Sequence, residues 1–194
     1  MAKKALNLEE CLGIEDGMLV IVAKGSYPEL VLPEIVRNID KNSFTDAKIK
    51  KLILPASMKK LTKENFQDCP KNAEIVVSEG ITEIGDGAFE GTSIKTISIP
   101  STVKIIGCRA FADCSKLEEI SIPEGVKKIG EEAFAGCKKL LKVNIPATVK
   151  KLAKGRSAVA ENCMTSVLQK ESKIPKVLHL KAVKCWKKSF FLLL

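Results

Sequence analysis

Apolar residues return along this chain at a nearly fixed interval. A phenylalanine marks the period most clearly, with spacings of 22, 23, 22 and 23 residues between Phe44, Phe66, Phe89, Phe111 and Phe134. Self-similarity at such a period is typical of solenoids, in which short units stack and each unit contacts only its neighbours. The pattern therefore predicts an elongated stack with a long regular face, rather than a fold built around one closed pocket.

Other positions keep the same register. Proline stands eleven residues before the phenylalanine in most repeats, and aliphatic residues follow it by three and by six positions. Before the proline the order is apolar-x-x-apolar-x-apolar, as in Leu117, Ile120 and Ile122. Pro146 continues the series, but Ser157 stands where the next phenylalanine is due. Six copies begin near Tyr27, Ile49, Asn72, Ile94, Leu117 and Leu140.

Each copy also predicts local structure. The alternating apolar residues before the proline predict a short strand with one buried face. The proline ends that strand because it lacks a backbone donor. Gly85, Gly107 and Gly130 permit either a tight turn or close packing at the next corner. The segment EEAFAGC, residues 131–137, is compatible with a short helical turn that buries Phe134.

The motif L-x-x-I-x-I-P-x-x-V-x-x-I-G-x-x-A-F-x-x-C, clearest in residues 117–137 and 94–114, resembles the BspA-like leucine-rich repeat family. The resemblance covers about residues 27–152, with an entry strand in residues 15–23. It implies an α/β fold, namely a right-handed solenoid of about six repeats of 22–23 residues with a concave parallel sheet. We predict an N-terminal cap in residues 1–26, the solenoid in 27–152 and a divergent basic cap or tail in 153–194.

The compartment is left open by two opposing indications. Members of the family are found largely as surface or secreted proteins of bacteria and some protists, and they are associated with adhesion and protein–protein interaction. The N-terminal residues of this chain, MAKKALNLEECLGIEDG, lack the apolar stretch of a signal peptide, which favours a cytoplasmic location by default. We also expect no transmembrane segment, because no run of about 18 apolar residues occurs.

The net charge of +9 is concentrated at one end of the chain. Residues 1–146 hold 21 basic and 21 acidic residues, whereas residues 147–194 hold 11 basic and 2 acidic ones. Three interpretations of residues 153–194 stay open. They form a capping unit with a solvated basic surface, they bind a polyanion or an anionic membrane, or they are a disordered or frame-altered tail.

The sequence offers little that suggests catalysis or metal binding. His179 is the only histidine and has no acid or nucleophile beside it in the sequence. Three of the seven cysteines, Cys69, Cys114 and Cys137, share one repeat position and are expected to be small buried residues. A disulfide between the last two is geometrically conceivable in an oxidising compartment. We predict no enzyme activity, no catalytic residues, no metal site and no cofactor.

Residues that alternate with the buried ones predict the binding face. They form two rows across the expected concave sheet. All of them except Glu29 are candidate partner contacts. The first row is Glu29, Lys51, Glu74, Thr96, Glu119 and Lys142. The second row is Val31, Ile53, Val76, Ser98, Ser121 and Asn144, and it changes from apolar to small and polar halfway.

These rows predict a non-enzymatic scaffold that binds a protein partner and thereby mediates adhesion to host or cell-surface components. The alternative is a binder of a small hydrophobic ligand, because Val31, Ile53 and Val76 would form a contiguous apolar patch. Binding of a polyanion or an anionic membrane through the basic C-terminal segment is a third and weaker prediction. We do not expect a nucleic-acid partner, and the sequence leaves the oligomeric state open.

Overall fold

The computed structural model describes residues 11–140 and 142–152. The chain forms short strands joined by turns, with 3-10 helices at Ala56–Met58 and Lys63–Phe66. In chain order the strands are β1 Leu12–Glu15, β2 Met18–Val22, β3 Gly25–Tyr27, β4 Leu30–Val31, β5 Asn38–Ile39, β6 Ala47–Ile49, β7 Lys51–Leu54, β8 Lys60–Leu61, β9 Glu74–Val77, β10 Glu83–Ile84, β11 Thr96–Ser98, β12 Ile105–Ile106, β13 Glu119–Ser121, β14 Lys128–Ile129, β15 Lys142–Asn144 and β16 Lys151–Leu152.

Two parallel sheets run along the stack, and from the second repeat onward each repeat adds one strand to each of them. The concave sheet has six strands in the order β4-β7-β9-β11-β13-β15. The second sheet has five strands in the order β8-β10-β12-β14-β16. Neighbouring strands are always one repeat apart in sequence, which confirms the predicted solenoid.

The core is one continuous column of apolar side chains between the two sheets. Its centre is a stack of phenylalanine rings, with centroids 4.4 Å apart for Phe66 and Phe89 and 5.4 Å apart for Phe89 and Phe111. The rings of Phe111 and Phe134 are also 5.4 Å apart and nearly parallel. Phe89 and Phe111 are each stacked between the rings of the repeats before and after them, so the 22–23-residue period is the period of the packing itself.

Phe134 is carried by a series of turns and not by the helical turn predicted for residues 131–137, whereas Phe66 ends a short 3-10 helix. Residues 131–136 form hydrogen-bonded turns, in which Glu132 and Gly136 have φ values of 53° and 70°. Left-handed residues cannot continue a right-handed helix, so two of them within five positions prevent regular helix formation. The helical part of the predicted α/β class is therefore small in the described residues.

The repeat glycines are needed for close packing between layers, which decides between the two explanations that the sequence left open. A Cβ atom on Gly107 would lie 2.5 Å from the backbone nitrogen of Asp86. One on Gly130 would lie 2.3 Å from the backbone nitrogen of Cys108. Neither distance occurs for a real Cβ atom, so any larger residue would separate the two layers.

A hairpin covers the N-terminal end of the stack. Strands β1 and β2 pair antiparallel, and β2 pairs in parallel with β5, placing Leu19 opposite Ile39. Leu19 and Val22 are fully buried, and the Ser43 hydroxyl donates a hydrogen bond to the Leu19 carbonyl at 2.6 Å. The first repeat is thus packed on both sides. The proposed boundaries at residues 26 and 152 remain predictions.

The last described repeat is less well covered than the inner ones. Ile145 and Val149 are half-buried, whereas their equivalents one repeat earlier, Ile122 and Val126, are buried. Residues 153–194, predicted as a cap or tail, lie outside the described residues.

Replacing Phe111 with alanine should destabilise the protein severely. The ring is fully buried and stacks on Phe89 and Phe134, so the substitution leaves a cavity in the middle of the column. We expect a loss of about 3–5 kcal/mol in the free energy of unfolding, measured by urea denaturation. Phe44→Ala is the matched comparison, and its loss should be smaller because Phe44 belongs to the first repeat. A Phe111 variant that unfolds at the wild-type urea concentration would show that the register is wrong.

Candidate binding face

The structure brings both predicted rows together on the concave sheet. Val31 lies opposite Ile53, Ile53 opposite Val76, and Val76 opposite Ser98 in successive strand pairs. Ser98 lies opposite Ser121, which lies opposite Asn144. The first row runs beside it in the same register, as Lys51, Glu74, Thr96, Glu119 and Lys142.

The apolar half of the second row is only partly open to solvent. Val31 is 46% exposed, whereas Ile53 and Val76 are half-buried. The difference follows from position in the sheet. Val31 lies on β4, the end strand, so a neighbouring strand covers it from one side only. Ile53 and Val76 lie on β7 and β9, which have neighbouring strands on both sides. The three side chains are adjacent, as predicted, but Val31 presents the largest apolar surface.

The first row carries charges of alternating sign at its N-terminal end. Lys51 Nζ lies 3.1 Å from a carboxylate oxygen of Glu29, and Glu74 follows Lys51 on the next strand. The Lys51 side chain is 37% exposed and that of Glu29 is 51% exposed, and such surface pairs contribute about 0–1 kcal/mol to stability. The charges of this row therefore matter for what the face can bind more than for the fold.

A shallow depression of about 300 Å³ lies in the middle of the concave sheet. It is lined by the polar residues Thr96, Ser98, Glu119 and Ser121, together with Ile97 and Ile99. All four polar residues belong to the two predicted rows. The depression therefore lies in the polar half of the face and not over the apolar patch at Val31, Ile53 and Val76.

A ladder of ion pairs runs along a different surface, beside the phenylalanine turns. Lys63 Nζ lies 2.9 Å from one carboxylate oxygen of Glu90, and an Arg109 guanidinium nitrogen lies 2.7 Å from the other. A second guanidinium nitrogen of Arg109 lies 2.6 Å from a carboxylate oxygen of Glu132. Hydrogen bonds from Lys63 and then Arg109 hold the pKa of the Glu90 carboxyl below its usual value. These pairs link four successive repeats, and the sequence prediction did not find them.

The cysteines of the shared repeat position are buried free thiols. The Cys114 and Cys137 sulfurs each donate a hydrogen bond to the carbonyl of a phenylalanine in the preceding repeat, at 3.0 Å. Burial raises the pKa of the Cys69 thiol far above its usual value, so this group stays protonated. The three thiols therefore serve as packing residues, as predicted, and the conceivable disulfide is not formed in this structure.

No group of three or more histidine, cysteine or acidic side chains in residues 11–140 and 142–152 is close enough to hold a metal ion. No helix within the same residues is sufficiently long and apolar to cross a membrane.

Comparison with known proteins agrees with this architecture. The model of the BspA type leucine-rich repeat region matches six copies in residues 26–165. A leucine-rich repeat protein from Bacteroides ovatus is 31% identical with a TM-score of 0.52, over 63% of this chain and 32% of that protein. The leucine-rich repeat protein of T. pallidum is 21% identical with a TM-score of 0.53, over 87% of each chain. No curated protein matches.

This chain thus spans about a third of the Bacteroides protein, and the likeness to the T. pallidum protein concerns the fold alone.

Replacing Ile53 with aspartate should leave the protein folded. The side chain is half-buried on the concave face, so the expected loss is about 1–2 kcal/mol of transfer free energy. Leu52→Asp is the matched control, because Leu52 is fully buried on the opposite side of the same strand and an unpaired charge there should unfold the protein. The two variants are compared by thermal unfolding. If both unfold alike, Ile53 belongs to the core and the assigned face is wrong.

Proposed function

Because the chain belongs to the BspA-type leucine-rich repeat family, we propose that it is a non-enzymatic scaffold whose concave sheet binds a protein partner. The family is one of protein-binding repeats, and this supports the general role. The identity of the face rests on the residues of this chain. The observation that carries it is the second row, which changes from apolar to hydroxyl side chains along one continuous surface.

The size of the face suits a macromolecular partner. Six strands at about 4.8 Å spacing give a surface roughly 24 Å long. Apolar side chains at Val31, Ile53 and Val76 would be covered by the partner, while Ser98 and Ser121 would exchange hydrogen bonds with it. Protein interfaces combine an apolar centre with polar and charged contacts in this way.

The adjoining charges would add specificity to such an interface. Lys51 and Glu74 lie beside the apolar residues, and Glu119 lies beside the hydroxyl residues. A partner with a matching order of charges would be favoured, because like charges brought together in an interface are strongly unfavourable. The row would therefore select a partner and fix its register.

Adhesion is the finer form of this proposal. It requires that the face be displayed outside the cell, as the family resemblance suggests. Binding of host or cell-surface components would then use the same residues, since the interaction chemistry of the face does not depend on the compartment.

A small hydrophobic ligand is the second candidate for the same face. The contiguous row of Val31, Ile53 and Val76 supports it. Small-molecule sites are normally concave and mostly apolar, however, and the depression on this face is lined by Thr96, Ser98, Glu119 and Ser121 instead. This separation of the apolar patch from the depression favours a protein partner.

Site-specific photocrosslinking in cells of the source organism tests the proposal. A benzophenone amino acid at position 98 should yield a crosslinked protein of defined mass. The same group at position 115 should not, because Ser115 is an exposed turn residue away from the concave strands.

The purified crosslinked partner should then lose binding to a Ser98→Arg, Ser121→Arg double variant and retain it for Ser115→Arg. Both serines of the double variant are exposed, so its melting temperature should match that of wild type. Equal crosslinking from both positions, or unchanged binding by the double variant, would contradict a concave binding site.

A further inference from the structure

Lysines form a column on the second sheet, away from the concave face. Successive repeats place Lys104, Lys127 and Lys150 at the same position, four residues after the proline. Their backbones are hydrogen-bonded in register, with Lys127 donating to the Lys104 carbonyl at 2.8 Å and Lys150 donating to the Lys127 carbonyl at 3.0 Å. Lys128 stands beside Lys127, on β14, opposite Ile105. We call Lys104, Lys127, Lys128 and Lys150 the lysine ladder.

The ladder is exposed, and no carboxylate of the described residues neutralises its charges. All four side chains face solvent. Among the described residues, none of the four ammonium groups lies within 4.0 Å of a carboxylate. The Lys104 ammonium group instead donates to the Ser101 carbonyl at 3.0 Å. The other end of the same sheet differs, since Lys60 there pairs with Glu83 at 2.8 Å.

Such a column is unfavourable for the isolated protein. Neighbouring strands of a sheet lie about 4.8 Å apart, and like charges directly opposite one another across strands are destabilising. A carboxylate at one of these positions would relieve the repulsion, as Glu83 does beside Lys60. No acidic side chain of the described residues offsets these four lysines, so an external anion bound along the column would be favoured.

The geometry of the ladder limits what that anion can be. The lysines follow the stack axis over three repeats, so Lys104 and Lys150 are separated by about 10 Å. Glu124 and Glu131, both exposed, lie three residues before Lys127 and three residues after Lys128. The lysines recur along the stack axis from one repeat to the next, which suits a linear polyanion lying along that axis.

Other features of the surface argue against a nucleic acid or a lipid bilayer as this polyanion. Single-stranded nucleic acids are held by aromatic side chains that stack on bases, and the phenylalanines and the tyrosine of residues 11–140 are buried. Membrane-surface contacts need apolar side chains beside the basic ones. The large apolar residues that are exposed in the described chain are Val20, Ile21, Val31 and Ile35, all near the opposite end of the stack.

We propose that the lysine ladder binds an extended anionic polysaccharide, with its sulfate or carboxylate groups spaced along the column. Ammonium groups suit these anions as mobile point charges and do not require the fixed fork of arginine. The site is separate from the concave face, so the protein could hold a protein partner and a polysaccharide at the same time.

Binding of fluorescent heparin and of polygalacturonate to the full chain tests the proposal. The ladder variant replaces Lys104, Lys127, Lys128 and Lys150 with glutamine. The control variant replaces four other exposed lysines with glutamine, so its net charge equals that of the ladder variant. These lysines are Lys48, Lys50, Lys71 and Lys116. Anisotropy is measured over a range of salt concentrations, and thermal unfolding is recorded for each protein.

The ladder variant should bind both polysaccharides about tenfold or more weakly and show a shallower salt dependence, because fewer counterions are released. The control variant should bind nearly as wild type. The melting temperature of the ladder variant should be unchanged or raised, since its like charges are removed.

Equal losses in both variants would show attraction by net charge alone and overturn the proposal, as would unchanged binding by the ladder variant. Tighter, ladder-dependent binding of single-stranded DNA or of phosphatidylserine vesicles than of heparin would also overturn it, in favour of a different occupant. These outcomes do not depend on the result of the crosslinking experiment at the concave face, so the two proposals can fail separately.

Discussion

Contact between successive layers is the interaction on which the whole molecule depends. A single repeat has apolar side chains on both sides and can bury them only against the repeats before and after it. The phenylalanine rings of Phe89, Phe111 and Phe134 show this directly, since each lies 5.4 Å from the next. Gly107 and Gly130 allow the same approach at the corner, where a Cβ atom would meet the backbone of the preceding layer.

This packing leaves the outer positions free to differ from repeat to repeat. Stacking uses the inward residues of each strand, such as Ile97 and Ile120, and holds their neighbours in register. The concave rows and the lysine ladder consist of the remaining residues, so their chemistry can change without loss of the fold. The solenoid therefore places equivalent side chains of successive repeats about 4.8 Å apart.

Periodicity was enough to predict the six repeats, the buried phenylalanines and the two rows of outward residues, because each follows from which positions alternate or recur. The concave position of those rows was implied by the family resemblance. Periodicity could not predict the left-handed turn at Glu132, because the equivalent positions in earlier repeats are Gly87 and Arg109, so the conformation recurs without a recurring residue type. The half-burial of Ile53 depends on how far the neighbouring strands cover it. The pairing of Arg109 with Glu90 joins different repeat positions, so it requires the coordinates.

Removal of one entire repeat tests most directly whether the layer is the unit of packing. Deletion of residues 94–116 joins Ser93 to Leu117, which occupies the position of Ile94, and brings Phe134 onto Phe89. The account predicts a folded protein with one cooperative thermal transition at a lower temperature than wild type. Deletion of residues 94–104 should abolish that transition, because it shifts every later residue out of register. Equal loss of structure in the two deletions, or a folded half-repeat deletion, would contradict the account.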